Sequence, residues 1–303
     1  MEVYLTGSTG FIGKNLTGYL RDKEFLLRHL GKDKLNNNLN NQLSRGCSII
    51  HLAGKAHDIK NTCSADEYYQ FNTELTKIVF DAFLSSDAKV FITLSSVKAA
   101  ADEVEGKLTE QHISNPLTHY GKSKLLAEQY IFSKKIPKGK RVYILRPCMI
   151  HGPGNKGNLN LLYSLVSKGL PWPLGLFENS RSFLSIENLC FIIKELIERE
   201  EIPSGVYNVA DDVPLSTNQV INMIAESNGK KANILKLNTN LIKLLARSGD
   251  FLKLPLNSER LQKLTESYLV NNDKIKAALG KPLPVSSKEG LIRTFQSFVS
   301  NAQ

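Results

Sequence analysis

The chain has 303 residues, of which 42% are hydrophobic and 22% are charged, as is typical of a globular protein with a large core. No stretch approaches the roughly 18 consecutive apolar residues of a membrane span, and the glycine-rich turn at Gly7 leaves no room for a secretory signal, so we predict a cytoplasmic protein. The formal net charge of +10 favours anionic partners, but the lysines are spread along the chain, so we expect no nucleic-acid partner.

The four cysteines give no sign of a metal site or of a disulfide framework. They stand far apart, without a Cys-x-x-Cys pair or a histidine at zinc-ligand spacing. We therefore predict reduced, mostly buried thiols and no bound metal at Cys47, Cys63, Cys148 and Cys190.

Short apolar runs alternate with helical patterns along the first half of the chain. Helices are predicted to begin near Phe11, Asp66 and Thr118. The strands are predicted at 3–5, 24–27, 48–52, 89–94 and 141–145. Strands that alternate with helices pair in parallel through right-handed crossovers, which predicts an α/β fold with a doubly wound parallel sheet. The asparagine-rich segment 35–43 predicts a loop or short helix and a sheet trimmed by one element.

A glycine-rich turn follows the first predicted strand. Gly7 permits a tight turn, Gly10 lets a pyrophosphate approach the backbone, and Gly13 lets the next helix pack with its N-terminal N–H groups toward the phosphates. An ordinary strand-to-helix turn is the alternative, since a glycine triplet alone is weak evidence. The turn therefore predicts a dinucleotide site only together with matching chemistry elsewhere.

Tyr120 and Lys124 stand four residues apart at the start of a predicted helix and therefore share one face. A nearby ammonium favours the phenolate, so we predict a lowered pKa for Tyr120 and a role as acid and base near neutral pH. Ser96 ends a predicted strand at the edge where ligands of open α/β sheets bind, and it could donate a hydrogen bond to the same substrate oxygen. The alternative is a chance pair of a half-buried tyrosine and a solvated lysine, against which the glycine turn and the serine argue.

Beyond Pro147 the sequence becomes rich in turn residues, which predicts the start of a second lobe. A later strand pattern at 205–209 is predicted to return to the first sheet. The predicted division is a dinucleotide-binding domain at 1–150 with a return segment at 183–209, and a smaller C-terminal lobe, mainly for substrate, at 151–303.

The stretch 240–254 is amphipathic and basic, with Lys243 and Arg247 among leucines. Two interpretations are open: a helix that lies on a membrane surface, or a helix that packs on the second lobe. Gly249 and Asp250 interrupt the pattern and favour packing over membrane contact.

Taken together, these residues resemble the extended short-chain dehydrogenases, the NAD-dependent epimerase/dehydratase family. The resemblance runs nearly from end to end and is strongest to the branch that is similar to UDP-glucose 4-epimerase, which includes reductases of UDP-linked 4-keto sugars. The motifs that carry it are Thr6–Gly13, His51–Gly54, Asn72, Ser95–Ser96, Tyr120 with Lys124, Arg146–Pro147, His151–Gly154, Gly157–Leu159, Arg181–Leu184 and Tyr207–Val209.

The resemblance implies a Rossmann sheet, NAD or NADP as cofactor, a UDP-sugar as substrate, a homodimer, and roles for single residues. Tyr120 would exchange the proton on the sugar oxygen, Ser96 would orient that oxygen, and Lys124 would also hydrogen-bond the nicotinamide ribose. The implied cofactor residues are Gly7, Thr9, Gly10, Phe11, Ile12, Gly13, Arg28, Leu52, Ala53, Gly54, Asn72, Lys124 and Pro147. The implied substrate residues are Ser96, Tyr120, Asn158, Leu159 and Arg181, and for Arg181 the alternative is a surface ion pair.

Two positions depart from the family pattern. Where the second strand ends, an acidic residue would bind the adenosine 2′-hydroxyl of NAD, but this chain has Arg28 there and reaches Asp33 only later, which leaves NADP open beside NAD. After Ser96 come Val97 and Lys98, where the dehydratases of the family carry an acidic pair, so we expect no dehydration.

These observations predict an enzyme that transfers a hydride between C4 of a UDP-linked hexose and a nicotinamide cofactor, in glycan precursor synthesis. It would be a 4-epimerase if the keto intermediate turns over within the site, or a 4-keto-sugar reductase if reduced cofactor is consumed; Arg28 leans toward NADPH and reduction. The competing class is a non-catalytic dinucleotide-binding sensor or scaffold, against which the complete set of serine, tyrosine and lysine argues.

Overall fold

The computed structural model describes residues 1–31, 33, 35, 39–55, 64–155, 157–252 and 257–300, without the side chains of Asn158, Leu252, Val299 and Ser300. The chain divides into two compact units. Unit 1 comprises Met1–Cys148, Ile186–Ala210 and Val270–Pro284. Unit 2 comprises Met149–Ser185, Asp211–Leu269 and Val285–Gln303. The predicted division did not include the third segment of unit 1.

Unit 1 is built on a six-stranded sheet in which every neighbouring pair of strands is parallel. The strands of the chain are β1 Glu2–Thr6, β2 Leu26–Leu30, β3 Ser48–His51, β4 Val90–Leu94, β5 Lys107–Leu108, β6 Arg141–Pro147, β7 Met149–His151, β8 Phe183–Ser185, β9 Gly205–Val209 and β10 Leu269–Val270. The order in the large sheet is β2-β1-β3-β4-β6-β9, so the predicted doubly wound parallel sheet is confirmed. Among the described residues no strand pairs with the outer edge of β2, where the common 3-2-1-4-5-6 order has one more.

Helices connect the strands of unit 1 and supply most of the core of unit 2. They are α1 Phe11–Arg21, α2 Ala65–Tyr68, α3 Leu75–Ser85, α4 His119–Phe132, α5 Asn158–Ser167, α6 Ile186–Glu198, α7 Thr217–Ser227, α8 Thr239–Leu252, α9 Ser258–Thr265, α10 Asp273–Leu279 and α11 Ser287–Ser300. A π-helical turn, Tyr69–Glu74, joins α2 to α3, and short 3-10 turns lie at Leu39–Gln42 and Val97–Ala99.

Each unit has its own hydrophobic core. In unit 1, Phe80 and Phe83 of α3 pack on Phe91 of β4, with ring centroids 5.1 and 5.4 Å from that of Phe91. In unit 2, Trp172 and Phe295 belong to a cluster that α5, α7 and α11 share. The inner strands β1, β3 and β4 are almost wholly buried, as in parallel sheets that helices cover on both faces, whereas the edge strand β2 is largely exposed.

One predicted boundary is wrong for a local reason. The second strand begins at Leu26 rather than at 24, because Glu24 has φ of +62° and the chain turns there. Helix α8 continues through Gly249 and Asp250, the two residues that interrupt the amphipathic pattern. The carboxylate of Asp250 accepts hydrogen bonds from the backbone nitrogen and the hydroxyl of Ser258, the first residue of α9. These bonds connect the end of α8 to the start of α9.

In the described part of the chain, no helix is both long and apolar enough to cross a bilayer. Cys47, Cys148 and Cys190 are buried and form no disulfide bond among the described residues. Burial raises the pKa of Cys47 to about 11 and that of Cys190 to about 12, so neither is a thiolate at neutral pH. Cys63 lies outside the described residues.

Candidate active site

The turn between β1 and α1 requires glycine at two positions. Gly7 has φ of +68°, and a Cβ there would lie 2.6 Å from the backbone nitrogen of Ala53. A Cβ on Gly13 would lie 2.3 Å from the carbonyl oxygen of Gly7. Any side chain at either position would clash, because the turn lies directly against the segment after β3 and α1 packs directly on the turn.

The N-terminus of α1 is open to an anion. Gly10 is its N-cap, no side chain among the described residues caps it, and its first turn carries no acidic residue. Thr9 and Gly10 are exposed, while Phe11 and Ile12 are half-buried. Free N–H groups at a helix N-terminus attract negative charge, so this turn can hold a pyrophosphate.

A buried chain of hydrogen bonds starts at the end of β1. Thr6 Oγ1 accepts from the backbone nitrogen of Ala53 at 3.0 Å and lies 2.9 Å from Nδ1 of His51. Nε2 of His51 lies 3.1 Å from Oγ1 of Thr76, which donates its own proton to the carbonyl oxygen of Asn72. Since the Thr76 proton is used, His51 must donate through Nε2 and accept at Nδ1. Burial lowers the pKa of His51 to about 3, which keeps the ring neutral.

Asn72 lies in the π-helical turn and is fully buried. Its Oδ1 accepts from the backbone nitrogen of Lys55 at 2.8 Å, and its Nδ2 donates to the carbonyl oxygen of Lys55 at 3.1 Å and to Oγ of Ser123 at 3.0 Å. Asn72 therefore ties the loop after β3 to helix α4. π-helical turns are frequent at functional sites.

Tyr120 is the second residue of α4, whose first turn is capped by the side chain of Thr118. Ser96, buried directly after β4, donates a hydrogen bond to the Tyr120 phenol, and the ring of Tyr68 contacts that of Tyr120 edge-on at 6.0 Å. Burial raises the pKa of Tyr120, and the hydrogen bond from Ser96 opposes the rise. The predicted lowering of this pKa by Lys124 is therefore wrong, because burial of the phenol outweighs the hydrogen bond from Ser96.

The ammonium of Lys124 is directed at the end of β4. Its Nζ donates to the carbonyl oxygen of Leu94 at 2.9 Å. A Cβ on Gly54 would lie 3.3 Å from that Nζ and 2.8 Å from Oδ1 of Asn72, so glycine leaves room for both groups. Burial lowers the pKa of Lys124 to about 8, and the carboxylate of Glu128 opposes this shift.

Glu128 is a residue of the site that sequence reasoning missed. It stands four residues after Lys124 on α4 and accepts hydrogen bonds from Oγ of Ser95 and from Nε of Arg146, the latter at 2.9 Å. All three side chains are buried. The only sequence signal is the spacing of four from Lys124, since nothing local connects Glu128 with an arginine on β6. Burying a charge is costly unless a counter-charge and hydrogen bonds compensate it. The bonds from Glu128 to Ser95 and Arg146 therefore hold α4 against the ends of β4 and β6.

The predicted site residues that follow the parallel strands all lie at the carboxyl edge of the large sheet. The strands β1, β3, β4 and β6 are parallel, so their carboxyl ends, Thr6, His51, Leu94 and Pro147, lie at the same edge. The predicted residues that follow or end these strands are Gly7, Leu52, Ala53, Gly54, Ser96 and Pro147.

Arg28 is predicted at the end of the second strand, but it lies in the middle of β2. The strand continues to Leu30, and Nε of Arg28 donates to Oε1 of Glu2 at 2.9 Å, at the end of β1 opposite the glycine turn. Asp33 instead follows the carboxyl end of β2, where its Oδ1 lies 2.5 Å from the position of a Cβ on Gly31. An acidic residue in that place is the one that binds the 2′-hydroxyl of NAD in dinucleotide folds.

The predicted substrate residues of unit 2 lie in different environments: one is in the hydrophobic core and another forms an ion pair. Leu159 is buried in its hydrophobic core. Arg181 donates to the carbonyl oxygen of Lys263 and pairs with Glu266, with Nη2 and Oε1 3.1 Å apart, which is the ion pair named as the alternative. The side chain of Asn158 lies outside the described residues.

Comparison with known proteins identifies one family and relatives that match nearly the whole chain. The family described as "NAD dependent epimerase/dehydratase family" matches residues 3–210. The UDP-glucose 4-epimerase of Vibrio cholerae is 30% identical, with 98% of this chain and 95% of that protein covered. The N-acetyl-alpha-D-glucosaminyl-diphospho-ditrans,octacis-undecaprenol 4-epimerase of Escherichia coli O157:H7 is 27% identical, with 97% and 94% covered.

A solved structure has the same fold. The UDP-glucuronic acid 4-epimerase from Bacillus cereus in complex with NAD has a TM-score of 0.78 and 19% sequence identity, and the similarity covers 100% of both chains.

Proposed function

This chain belongs to the NAD-dependent epimerase/dehydratase family, and from that premise we propose that it is a UDP-hexose 4-epimerase that keeps its NAD through the catalytic cycle. The predicted family, and with it an enzyme that depends on NAD or NADP, is confirmed. The observation that carries the proposal is the convergence of Ser96, Tyr120 and Lys124 at the sheet edge that also carries the glycine-rich turn.

Tyr120 and Ser96 perform the proton chemistry at the sugar. Burial raises the pKa of the Tyr120 phenol, so oxidation of C4 draws on the minor phenolate form, and the phenol made in that step returns the proton to the oxygen of the 4-keto sugar. The proton that Tyr120 takes from the C4 hydroxyl in the first half of the cycle is therefore the one it gives back in the second half. Ser96 donates to the phenol oxygen, and this hydrogen bond stabilises the phenolate during the transfer.

Lys124 supplies a positive charge at the end of β4, two residues before Ser96. One of its three N–H donors is used by the carbonyl oxygen of Leu94, and among the described residues no acceptor is recorded for the other two, which would bind ribose hydroxyls of the cofactor. Bound NAD supplies the hydride acceptor and donor for C4. A side chain at position 54 would press on Nζ and on Asn72, so glycine is required beside this ammonium.

NAD fits the residues at the adenosine end better than NADP does. Asp33 would accept hydrogen bonds from a 2′-hydroxyl and would repel a 2′-phosphate. Arg28, which favours NADPH in the sequence alone, is paired with Glu2 in the middle of β2. An adenosine end that favours NAD supports epimerisation with a retained cofactor over net reduction by NADPH.

Dehydration finds no support in the residues after Ser96. Lys98 stands where the dehydratases carry an acidic residue, and its Nζ donates to the carbonyl oxygen of Asp102 at 2.6 Å. A cation held in this way cannot remove the proton that elimination of water requires.

The test is turnover by the purified chain with UDP-glucose, UDP-galactose and UDP-N-acetylglucosamine. We expect interconversion at C4 without net change in the absorbance of reduced nicotinamide, and NAD released by heat denaturation. Consumption of NADPH by a UDP-4-keto sugar, with no interconversion of the 4-hydroxyl sugars, would make the chain a reductase and overturn the proposal.

A second candidate substrate is the same type of hexose linked through a diphosphate to a polyprenol. The relative from E. coli O157:H7 is named for such a substrate. The specific observation that favours it here is a large exposed apolar surface on α8. Incubation with a polyprenyl-diphosphate sugar in detergent separates the two candidates. The homodimer stays a prediction, which sedimentation of the purified chain tests.

A further inference from the structure

Helix α8 of unit 2 is buried along only one narrow side. Ile242 and Ala246 pack into the core of the unit. Four large apolar side chains of the same helix are exposed: Leu241 by 50%, Leu244 by 60%, Leu245 by 50% and Phe251 by 89%. At about 100° per residue these four fall on one arc, which borders the buried side, and we name them the apolar face of α8.

A basic edge borders the apolar face on the side away from the core. Lys243 and Arg247 are one helical turn apart, and both are exposed. The segment directly before α8 continues the pattern, since Leu235 and Leu237 are each 38% exposed and enclose the exposed Lys236.

The charge of this region is strongly one-sided. Residues 228–252 contain five basic residues and a single acidic one, Asp250. The carboxylate of Asp250 accepts two hydrogen bonds from Ser258, so it is held at the start of α9 rather than at the apolar face. Nothing acidic within this segment therefore offsets the basic edge.

We propose that the apolar face of α8 docks on a lipid bilayer that contains anionic headgroups. A single exposed leucine needs no explanation, but a continuous arc of large apolar side chains on one helix marks an interaction surface. An amphipathic helix with apolar side chains on one face and lysine and arginine at its border lies in the plane of a bilayer interface. The basic edge is complementary to anionic headgroups, which supplies the charge attraction that apolar insertion alone lacks.

A second copy of the chain fits this surface less well than a bilayer does. In a two-fold pair with antiparallel helices, the same edge of each helix lies against its counterpart. Lys243 and Arg247 of one copy would then face the same two residues of the other copy, and like charges at that distance are destabilising. Anionic headgroups meet the basic edge without this repulsion.

Docking on a bilayer goes beyond the proposed function, because it states where the enzyme works and does not depend on which hexose is turned over. It would place the chain beside substrates that are anchored in a membrane by a lipid. Activity on water-soluble UDP-sugars is expected to be independent of docking, so the two proposals fail in different experiments.

The test is flotation of the full-length chain with vesicles of phosphatidylcholine alone and with vesicles that also contain phosphatidylglycerol. We expect flotation with the anionic vesicles, less with the neutral ones, and a decrease as salt screens the charges. An apolar variant, Leu244→Gln with Phe251→Gln, and a charge variant, Lys243→Glu with Arg247→Glu, should each reduce the vesicle-bound ratio about ten-fold or more.

Two matched controls separate docking from general stickiness and net charge. Phe132→Gln removes an aromatic side chain that is 60% exposed at the end of α4, far along the chain from α8. Lys135→Glu with Lys138→Glu changes the net charge as much as the charge variant does, at two exposed positions. Both controls should float like the unmodified chain, and turnover of UDP-sugars should be unchanged in the α8 variants.

Three results would overturn the proposal. The unmodified chain could stay at the bottom of the gradient with both types of vesicle. The α8 variants could float as well as the controls. Alternatively, the apolar variant could convert a dimer to a monomer in sedimentation while vesicle binding is absent, which would make the apolar face of α8 an interface between copies.

Discussion

The carboxyl edge of the unit 1 sheet and helix α8 of unit 2 place polar and apolar groups in opposite ways. At the sheet edge, His51, Glu128 and Arg146 are buried and each has hydrogen-bond partners. On α8, leucines and a phenylalanine are exposed, and the charged residues border them.

The difference shows that burial of charge and exposure of apolar surface affect the free energy of the folded chain in different ways. Burying a charge is costly unless its partners are fixed, so the network at the sheet edge exists in one geometry, as proton transfer requires. An exposed apolar face contributes nothing to folding and gains free energy only when something outside the chain covers it. Substitutions at the sheet edge should therefore change catalysis or stability, and substitutions on α8 should change association alone.

The largest effect is expected from Tyr120→Phe, which removes the acid and base. We expect kcat to fall by about 10²- to 10⁴-fold, because no other described group donates a proton at that position. Circular dichroism should show an unchanged fold. Tyr130→Phe, on the same helix but hydrogen-bonded to Asp81 at the surface, is the matched control and should keep its activity. Equal activity of the two variants would contradict the proposed role.

Glu128→Gln tests the buried network directly. It leaves Arg146 buried without its counter-charge, so the free energy of unfolding should fall by about 3–5 kcal/mol. Glu289→Gln breaks an arginine pair of the same chemistry that is exposed on α11, and the loss there should be only about 0.3–0.5 kcal/mol. Urea denaturation measures both, and equal losses would show that burial of the Glu128 pair does not matter.

The pH dependence of kcat should report the titration of the Lys124 ammonium. Its pKa of about 8 predicts that kcat falls above about pH 8, as the ammonium loses its proton. The Glu128 carboxylate raises this pKa, so in Glu128→Gln the fall should begin at lower pH. A fall at the same pH in both proteins would mean that Glu128 acts only through folding.

The smallest effect is expected from the apolar variant of α8. Leu244→Gln with Phe251→Gln should change the free energy of unfolding by no more than about 0.5 kcal/mol, because both side chains are already in water. Phe295→Ala in the core of the same unit should cost about 3–5 kcal/mol. A large loss in the α8 variant would mean that its apolar face is covered within the chain.

Local patterns in the sequence predicted most of unit 1. The alternation of apolar runs and helices defined the parallel sheet, and the glycines at 7 and 13 stand where a Cβ would clash. Tyr120, Lys124 and Ser96 could be named in advance because helix spacing and the edge of a parallel sheet bring such residues together. The family assignment followed from the same motifs.

Only the tertiary structure decided the electrostatics of the site. Arg28 pairs with Glu2 because β1 and β2 are neighbours, and Glu128 meets Arg146 across an interval of sequence that carries no pattern. The pKa of Tyr120 rises rather than falls because burial, which depends on every surrounding element, outweighs the hydrogen bond that Ser96 supplies. Spacing along a chain determines which side chains share a face, whereas desolvation and ion pairing depend on the dielectric and the partners that distant segments bring together.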